Sequence, residues 1–167
     1  MEYTSAQANK LLKKLQEDRL SLLGREELRS SFVAATVENV EDARPEYDYE
    51  SVQRQLEDIE GKIRYVKHCI NAFNLSHEVE GFSMTVDQML VYIPQLSEKK
   101  LKLAGMAAAL EKARVEGSGS SGIIEYRYAN YDVEKAARDY EAVSGELSAA
   151  QTALDRLNNT LTMTIDL

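Results

Sequence analysis

Two stretches of the chain keep a heptad spacing of apolar residues, and this spacing constrains the fold more than any other feature of the sequence. Apolar positions three and four residues apart alternate in both stretches. A repeat that averages about 3.5 residues keeps one narrow apolar seam in line along a helix, and such a seam packs against another helix. The first seam consists of Val52, Leu56, Ile59, Ile63, Val66, Ile70 and Phe73, and the second of Val133, Ala136, Tyr140, Val143, Leu147, Ala150, Leu154, Leu157 and Leu161.

The sequence therefore predicts a mainly α protein of long, antiparallel, coiled-coil-like helices with a small β-sheet of short strands. We expect one helical domain over residues 1–167. The predicted helices cover about 5–28, 50–74, 85–113 and 133–159, and the predicted strands cover about 31–37, 123–130 and 161–165.

Polar residues at the expected helix starts support these boundaries. Thr4 stands three residues before Gln7, and Thr85 stands three residues before Gln88, which is the spacing of a capping box. Asp48 or Ser51 is suited to cap the second long helix and Asp132 the last one. Pro94 lies inside the third helix and is expected to kink or split it.

Composition restricts the partners of this chain. The 28 acidic and 20 basic residues give a net charge of −8, which opposes binding to a nucleic-acid polymer. No apolar run reaches the length of a membrane helix, the first residues have no signal-peptide pattern, and one cysteine excludes an internal disulfide. We expect a cytoplasmic protein with no membrane partner.

The order of several motifs resembles a known family. A helix that ends at 70–74 is followed by a short loop, by Thr85–Leu90, by a strand near Ile124, and by a long helix that ends at 157–160. Over roughly residues 50–165 the chain is similar to small bacterial proteins labelled septicolysin, whose function is unknown. The resemblance implies helical hairpins that assemble into oligomers, with no established activity. Family members carry an arginine before the strand, where this chain has 120–122 (Ser-Ser-Gly), so a ligand role of that arginine is not carried over.

Catalytic and metal motifs are weak. His68 and Cys69 are adjacent, and neighbouring residues on a helix point about 100° apart, whereas a nucleophile and its base must be within hydrogen-bond reach. His77 is the second of two histidines, and no metal-ligand spacing surrounds either of them. The sequence therefore predicts a protein that is not an enzyme and has no metal and no cofactor.

A tyrosine-rich segment is the best candidate for a binding site. On a strand, Tyr126, Tyr128 and Asn130 share one face, and Arg127 and Tyr131 share the other. Stacked tyrosines, an arginine and the backbone of the Gly/Ser-rich loop 117–122, which includes Ser120, are suited to hold an anionic aromatic ligand. The alternative is that these tyrosines are simply favourable strand residues.

Lys100 breaks an apolar row of the third helix. A charge at such a position sets the register or oligomeric state of packed helices, or it points into a pocket between subunits. Because one chain with short connections has little surface to cover both long seams, we expect a homo-oligomer. The leading hypothesis is a non-enzymatic homo-oligomer that binds or sequesters a small anionic, nucleotide-like ligand at a subunit interface. The alternative is a structural or interaction scaffold without a small ligand.

Overall fold

The computed structural model describes residues 1–115 and 124–167, and helices make up 67% of them. The prediction of a mainly α fold is confirmed. The chain divides into two compact units: unit 1 contains Met1–Ser76 and Asn158–Leu167, and unit 2 contains His77–Leu157. The predicted Gly/Ser-rich loop 117–122 lies outside the described residues.

Five helices and six short strands follow one another in the described residues. The helices are α1 (Ser5–Arg29), α2 (Val40–Ala43), α3 (Tyr49–Ser76), α4 (Val86–Ala107) and α5 (Val133–Thr160). The strands are β1 (Glu2–Thr4), β2 (Glu78–Val79), β3 (Met84–Thr85), β4 (Lys112–Arg114), β5 (Tyr126–Tyr128) and β6 (Thr162–Thr164).

Side-chain caps fix the starts of the long helices. Thr4 and Thr85 each form a complete capping box with the glutamine three residues later, as predicted. Asp48 accepts a hydrogen bond from the backbone N–H of Ser51 at 3.0 Å, and Asp132 accepts one from Lys135 at 2.9 Å. Each cap satisfies a donor that the helix leaves free, which is typically worth about 1 kcal/mol.

Unit 1 is a helical hairpin with a strand pair. Helix α1 packs along α3, and an ion pair of 2.7 Å between Arg19 Nε and Glu60 Oε1 joins the two helices. β1 pairs with β6 in antiparallel register, with Tyr3 opposite Met163. Beyond β6, Ile165 is 2% exposed, and its N–H donates to the carbonyl of Met1 at 2.9 Å.

Unit 2 contains two further strand pairs. β2 and β3 form a tight hairpin in which Gly81 has φ +86°, a conformation that glycine adopts at little cost. β4 and β5 form an antiparallel ribbon.

Helix α4 continues through Pro94, so the predicted split does not occur. The hydroxyl of Tyr131, just before α5, donates to the carbonyl of Met106 in α4 at 2.9 Å.

The sequence and the elements together reveal a tandem repeat. The first repeat consists of β1, α1, α3 and β2, and the second of β3, α4, α5 and β6. The second helix of each repeat has 28 residues and follows a Tyr-Asp pair. Identical residues at equivalent positions include Thr4 and Thr85, Gln7 and Gln88, Leu15 and Leu96, Leu20 and Leu101, Gly24 and Gly105, Tyr47 and Tyr131, Asp48 and Asp132, Gly61 and Gly145, and Asn74 and Asn158.

The strand pairs follow the same repeat. In each pair, the strand after the second helix of one repeat joins the strand before the first helix of the other repeat. The registers match, because Tyr3 lies opposite Met163 and the equivalent Met84 lies opposite Val79. Both Val79 and Met163 are buried. Each unit is therefore completed by a strand from the other half of the sequence.

Both seams are covered within one chain. Except for Leu161, which is 42% exposed, every residue of the two seams is buried or half-buried. The argument that uncovered seams require a second copy therefore loses its basis. The prediction of a homo-oligomer itself stays a prediction.

Several predicted elements differ from those in the structure. Residues 31–37 form no strand, and Val33 and Val37 are 95% and 94% exposed, because these β-branched residues have no described strand to pair with. The third helix ends at Ala107 rather than near 113, because Lys112–Arg114 pairs with β5. The predicted strands 123–130 and 161–165 correspond to the shorter β5 and β6. The strands form three separate pairs instead of one sheet.

Among the helices of the described residues, none is long and apolar enough to cross a membrane.

Candidate functional site

The β4–β5 ribbon carries the predicted tyrosines, and its two faces differ in charge. Directly opposed residues share a face, so Lys112 with Tyr128 and Arg114 with Tyr126 lie on one side. We call this side, with its four residues, the tyrosine face. The opposite side carries Arg127 across from Ala113.

Backbone bonds extend the ladder by one residue pair at each end. The N–H of Val115 donates to Glu125 O, and the N–H of Ala129 donates to Glu111 O, each at 3.0 Å. The alternation of side chains places Glu111 and Glu125 on the side of Arg127. The tyrosine face therefore has two cations and no carboxylate from the ribbon, whereas the arginine of the opposite face has two carboxylates beside it.

Lys112 lies between two aromatic rings. Its Nζ is 4.2 Å from the ring centroid of Tyr126 and 5.5 Å from that of Tyr128, and the two centroids are 6.4 Å apart. Both rings remain accessible, with exposed fractions of 44% and 62%. The cation–π contacts orient the ammonium group while leaving ring surface and N–H donors available to a ligand.

The other predicted site residues do not join this cluster. Arg127 lies on the opposite face of the ribbon, and Asn130 is exposed beyond the strand. The Tyr131 hydroxyl bonds to the backbone of α4. Ser120 lies outside the described residues. Lys100 lies in α4, with its Nζ 5.8 Å from the ring centroid of Tyr140 in α5.

The repeat relates Lys100 to a residue that forms an ion pair in the first repeat. Its equivalent in the first repeat is Arg19, whose partner Glu60 is equivalent to Ser144. The Oγ of Ser144 is buried and makes no hydrogen bond to the described residues. The second repeat thus keeps the cation but lacks the carboxylate of the first.

Replacing Ser144 with glutamate should restore this ion pair. We expect Ser144→Glu to raise the free energy of unfolding by about 0.5–1 kcal/mol, the value of a partly exposed pair, because the new carboxylate faces Lys100. Urea unfolding measures the change. In the background Lys100→Met the same glutamate should give no gain, and an equal gain there would contradict the pairing.

Unit 1 has a groove that sequence reasoning missed. It lies between the C-terminal half of α1 and the start of α3, and its volume is about 320 Å³. We call it the unit 1 groove. Its apolar floor contains Leu22 and Val52, and Arg25 and Arg29 stand on its α1 side. The sequence signal for this groove is the spacing of the two arginines, because residues four apart lie on the same face of a helix.

A hydrogen-bond network fixes one wall of the unit 1 groove. Glu26 Oε1 accepts from the Tyr47 hydroxyl and from Gln53 Nε2, both at 2.8 Å, and so ties α1 to the loop and to α3. Burial and the bond to Glu26 raise the pKa of Tyr47 above its ordinary value. The raised pKa means that the surroundings of Tyr47 favour the protonated hydroxyl, which is the form that donates to Glu26.

A second tyrosine links the helices of unit 2. The Tyr92 hydroxyl on α4 donates to Glu146 on α5, and this hydrogen bond, followed by burial, raises the pKa of Tyr92. Tyr47 and Tyr92, whose pKa values are both raised, therefore act as hydrogen-bond donors to carboxylates. Within the described ranges, no three histidine, cysteine or carboxylate side chains are grouped to hold a metal ion. Cys69 is half-buried and free.

The fold defines a class, a mainly α protein of tandem helical hairpins closed by short strand pairs. A solved structure of this class comes from Corynebacterium diphtheriae and is described as a functionally unknown conserved protein. Its TM-score to this chain is 0.62 at 16% sequence identity, covering 98% of this chain and 100% of that one. This likeness concerns the fold. No protein-family model and no curated protein sequence matches the chain.

Proposed function

We propose that this protein is a non-enzymatic homo-oligomer that binds a small anionic, aromatic ligand, such as a nucleotide, on the tyrosine face. The observation that carries the proposal is the position of Lys112 against the rings of Tyr126 and Tyr128. The ammonium group supplies charge for a phosphate, and an exposed ring supplies a surface on which a base stacks. Arg114 on the same face adds a second cation.

The charge distribution supports an anion at this place. The whole chain has a net charge of −8, so an anionic ligand is repelled from most of its surface. The tyrosine face is locally cationic, whereas Glu111 and Glu125 accompany Arg127 on the other side. We therefore transfer the binding role that the sequence suggested for Arg127 to Lys112.

The shape of the ribbon supports a site shared between copies. Ligand sites are concave, and one exposed ribbon face offers a single wall. A second copy would supply the other wall. The proposal therefore includes a binding site at a subunit interface, in an oligomer of the kind that the resemblance to septicolysin implies. The proposal also retains a cytoplasmic location, where nucleotides are abundant.

Binding of ATP tests the site. We expect Lys112→Ala to weaken ATP affinity about tenfold or more, because a charge-assisted contact of about 1.5–3 kcal/mol is lost. Arg127→Ala on the opposite face is the matched control and should change affinity by less than about twofold. Isothermal titration calorimetry measures both. Wild-type protein that binds no ATP, or an Arg127 variant weakened as much as the Lys112 variant, would contradict the proposal.

A scaffold function without a small ligand is the second candidate, and a repeated surface favours it. Leu20 and Leu101 occupy equivalent positions and are 64% and 77% exposed. Gly24 and Gly105, four residues later, have open space where a Cβ would stand. Native mass spectrometry separates the two candidates, because an oligomer with a nucleotide-sized adduct favours ligand binding and a bare oligomer favours the scaffold.

A further inference from the structure

We propose that the unit 1 groove is a second binding site and that its ligand is a small zwitterion, an α-amino acid with an apolar side chain. The inference is independent of the tyrosine face, because all groove residues belong to unit 1. It rests on three properties of the groove: charges of opposite sign on its two sides, an apolar floor and a rigid wall.

Opposite charges line the groove without neutralising each other. Glu26 lines the groove from α1, and its Oε1 is occupied by the hydrogen bonds from Tyr47 and Gln53. Arg25 and Arg29 stand on the same helix, and Glu46 and Asp48 stand on the segment that leads into α3. In the part of the chain that the structure describes, no ion pair joins either arginine to either carboxylate. Arg25 makes one long contact of 3.4 Å to the carbonyl of Ser21.

Such an arrangement suits a ligand that carries both charges. A carboxylate is bound well by the fork of guanidinium donors, and an ammonium group is bound by carboxylates. Side chains of opposite charge that are separated by a gap gain energy when one ligand bridges them. A purely anionic ligand would be repelled by Glu46 and Asp48, and a purely cationic one by the arginines.

The floor and the volume of the groove determine which side chain and what size the ligand has. Leu22 is 4% exposed and lies at the base of the groove with Val52. An apolar side chain placed there loses contact with water, which favours binding. A volume of about 320 Å³ is at the small end of ligand pockets, which fits a single amino acid.

The groove is also held in shape before any ligand arrives. Glu26 on α1 accepts hydrogen bonds from Tyr47 and Gln53, and Asp48 caps α3. These bonds anchor the segment that carries Glu46 and Asp48 to both helices. A preorganised wall lowers the entropy that binding costs. The equivalent Tyr131–Asp132 pair of the second repeat leads from the β4–β5 ribbon, so the helices repeat while the two connections between them differ.

Calorimetric titration with L-leucine tests the proposal. N-acetyl-L-leucine lacks the ammonium charge and L-leucinamide lacks the carboxylate charge. We expect leucine to bind at least about tenfold tighter than either blocked compound, because each loses one charge-assisted contact. Equal affinity for leucine and a blocked compound, or no binding of leucine at about 10 mM, would overturn the proposal.

Variants of the groove test which residues bind the carboxylate of the ligand and which bind its ammonium group. With Arg25→Ala and Arg29→Ala combined, the preference for leucine over leucinamide should disappear. With Glu46→Gln, the preference for leucine over N-acetyl-leucine should fall. All these residues are exposed, so circular dichroism should show unchanged folding. Arg54→Ala, an exposed cation outside the groove, is the matched control, and groove variants that bind leucine as this control does would overturn the assignment.

Discussion

Replacing Met89 with alanine is expected to lower the free energy of unfolding by about 2–5 kcal/mol, the range for truncating a large buried side chain. Met89 is 0% exposed and lies in the first turns of α4, immediately after the capping box. Its equivalent in the first repeat, Ala8, is also 0% exposed. The loss combines the missing apolar contacts with the cavity that remains. Urea unfolding followed by circular dichroism measures it.

The neighbouring residue provides the control for this prediction. Leu90 is similar in size to Met89 and lies in the same helix, but it is 50% exposed. We expect Leu90→Ala to cost less than about 1 kcal/mol, because it removes fewer buried contacts. If both variants lose the same stability, the burial of Met89 is not what stabilises this part of unit 2.

Ile165→Ala is expected to have the second large effect, a loss of about 2–5 kcal/mol. Ile165 is 2% exposed, and it follows the strand that pairs with β1. Its backbone bond to Met1 does not require the side chain, so the variant isolates the contribution of packing. We expect faster hydrogen exchange at Tyr3 in β1, while the Val79 amide of the β2–β3 pair keeps its protection, because that pair belongs to unit 2.

Leu167→Ala is the matched control for Ile165, since Leu167 is 58% exposed. It should leave both the stability and the exchange at Tyr3 nearly unchanged. Exchange that accelerates equally at Tyr3 and Val79 in Ile165→Ala would show that the two strand pairs open together, contrary to the expectation.

The sequence predicted the long helices well because their signals are local. Each seam lies on one helix, and each cap lies within four residues of the helix start, as with Thr4 and Gln7. The strand pairs depend on residues far apart: Glu2 meets Thr164, and no local pattern specifies that partner. Residues 31–37 show the converse, because strand propensity without a partner strand produced no strand.

The candidate site was predicted in part for the same reason. Alternation along a strand placed Tyr126 and Tyr128 on one face and Arg127 on the other, and the structure agrees. The sequence does not predict Lys112 as their neighbour, because its pattern predicts a helix that continues to about residue 113. The repeat was also missed, since identical residues such as Gly61 and Gly145 are sparse and became visible only when the equivalent helices and strands were compared.

The strand pairs have a consequence for the order in which the protein is completed during synthesis. β2 and β3 are neighbours in sequence, so their hairpin is able to close as soon as both have left the ribosome. β1 is made well before its partner β6, because all the other described elements lie between them in the chain. During translation the edge of β1 stays open until β6 has been made, and in that interval it is exposed to pairing with strands of other chains.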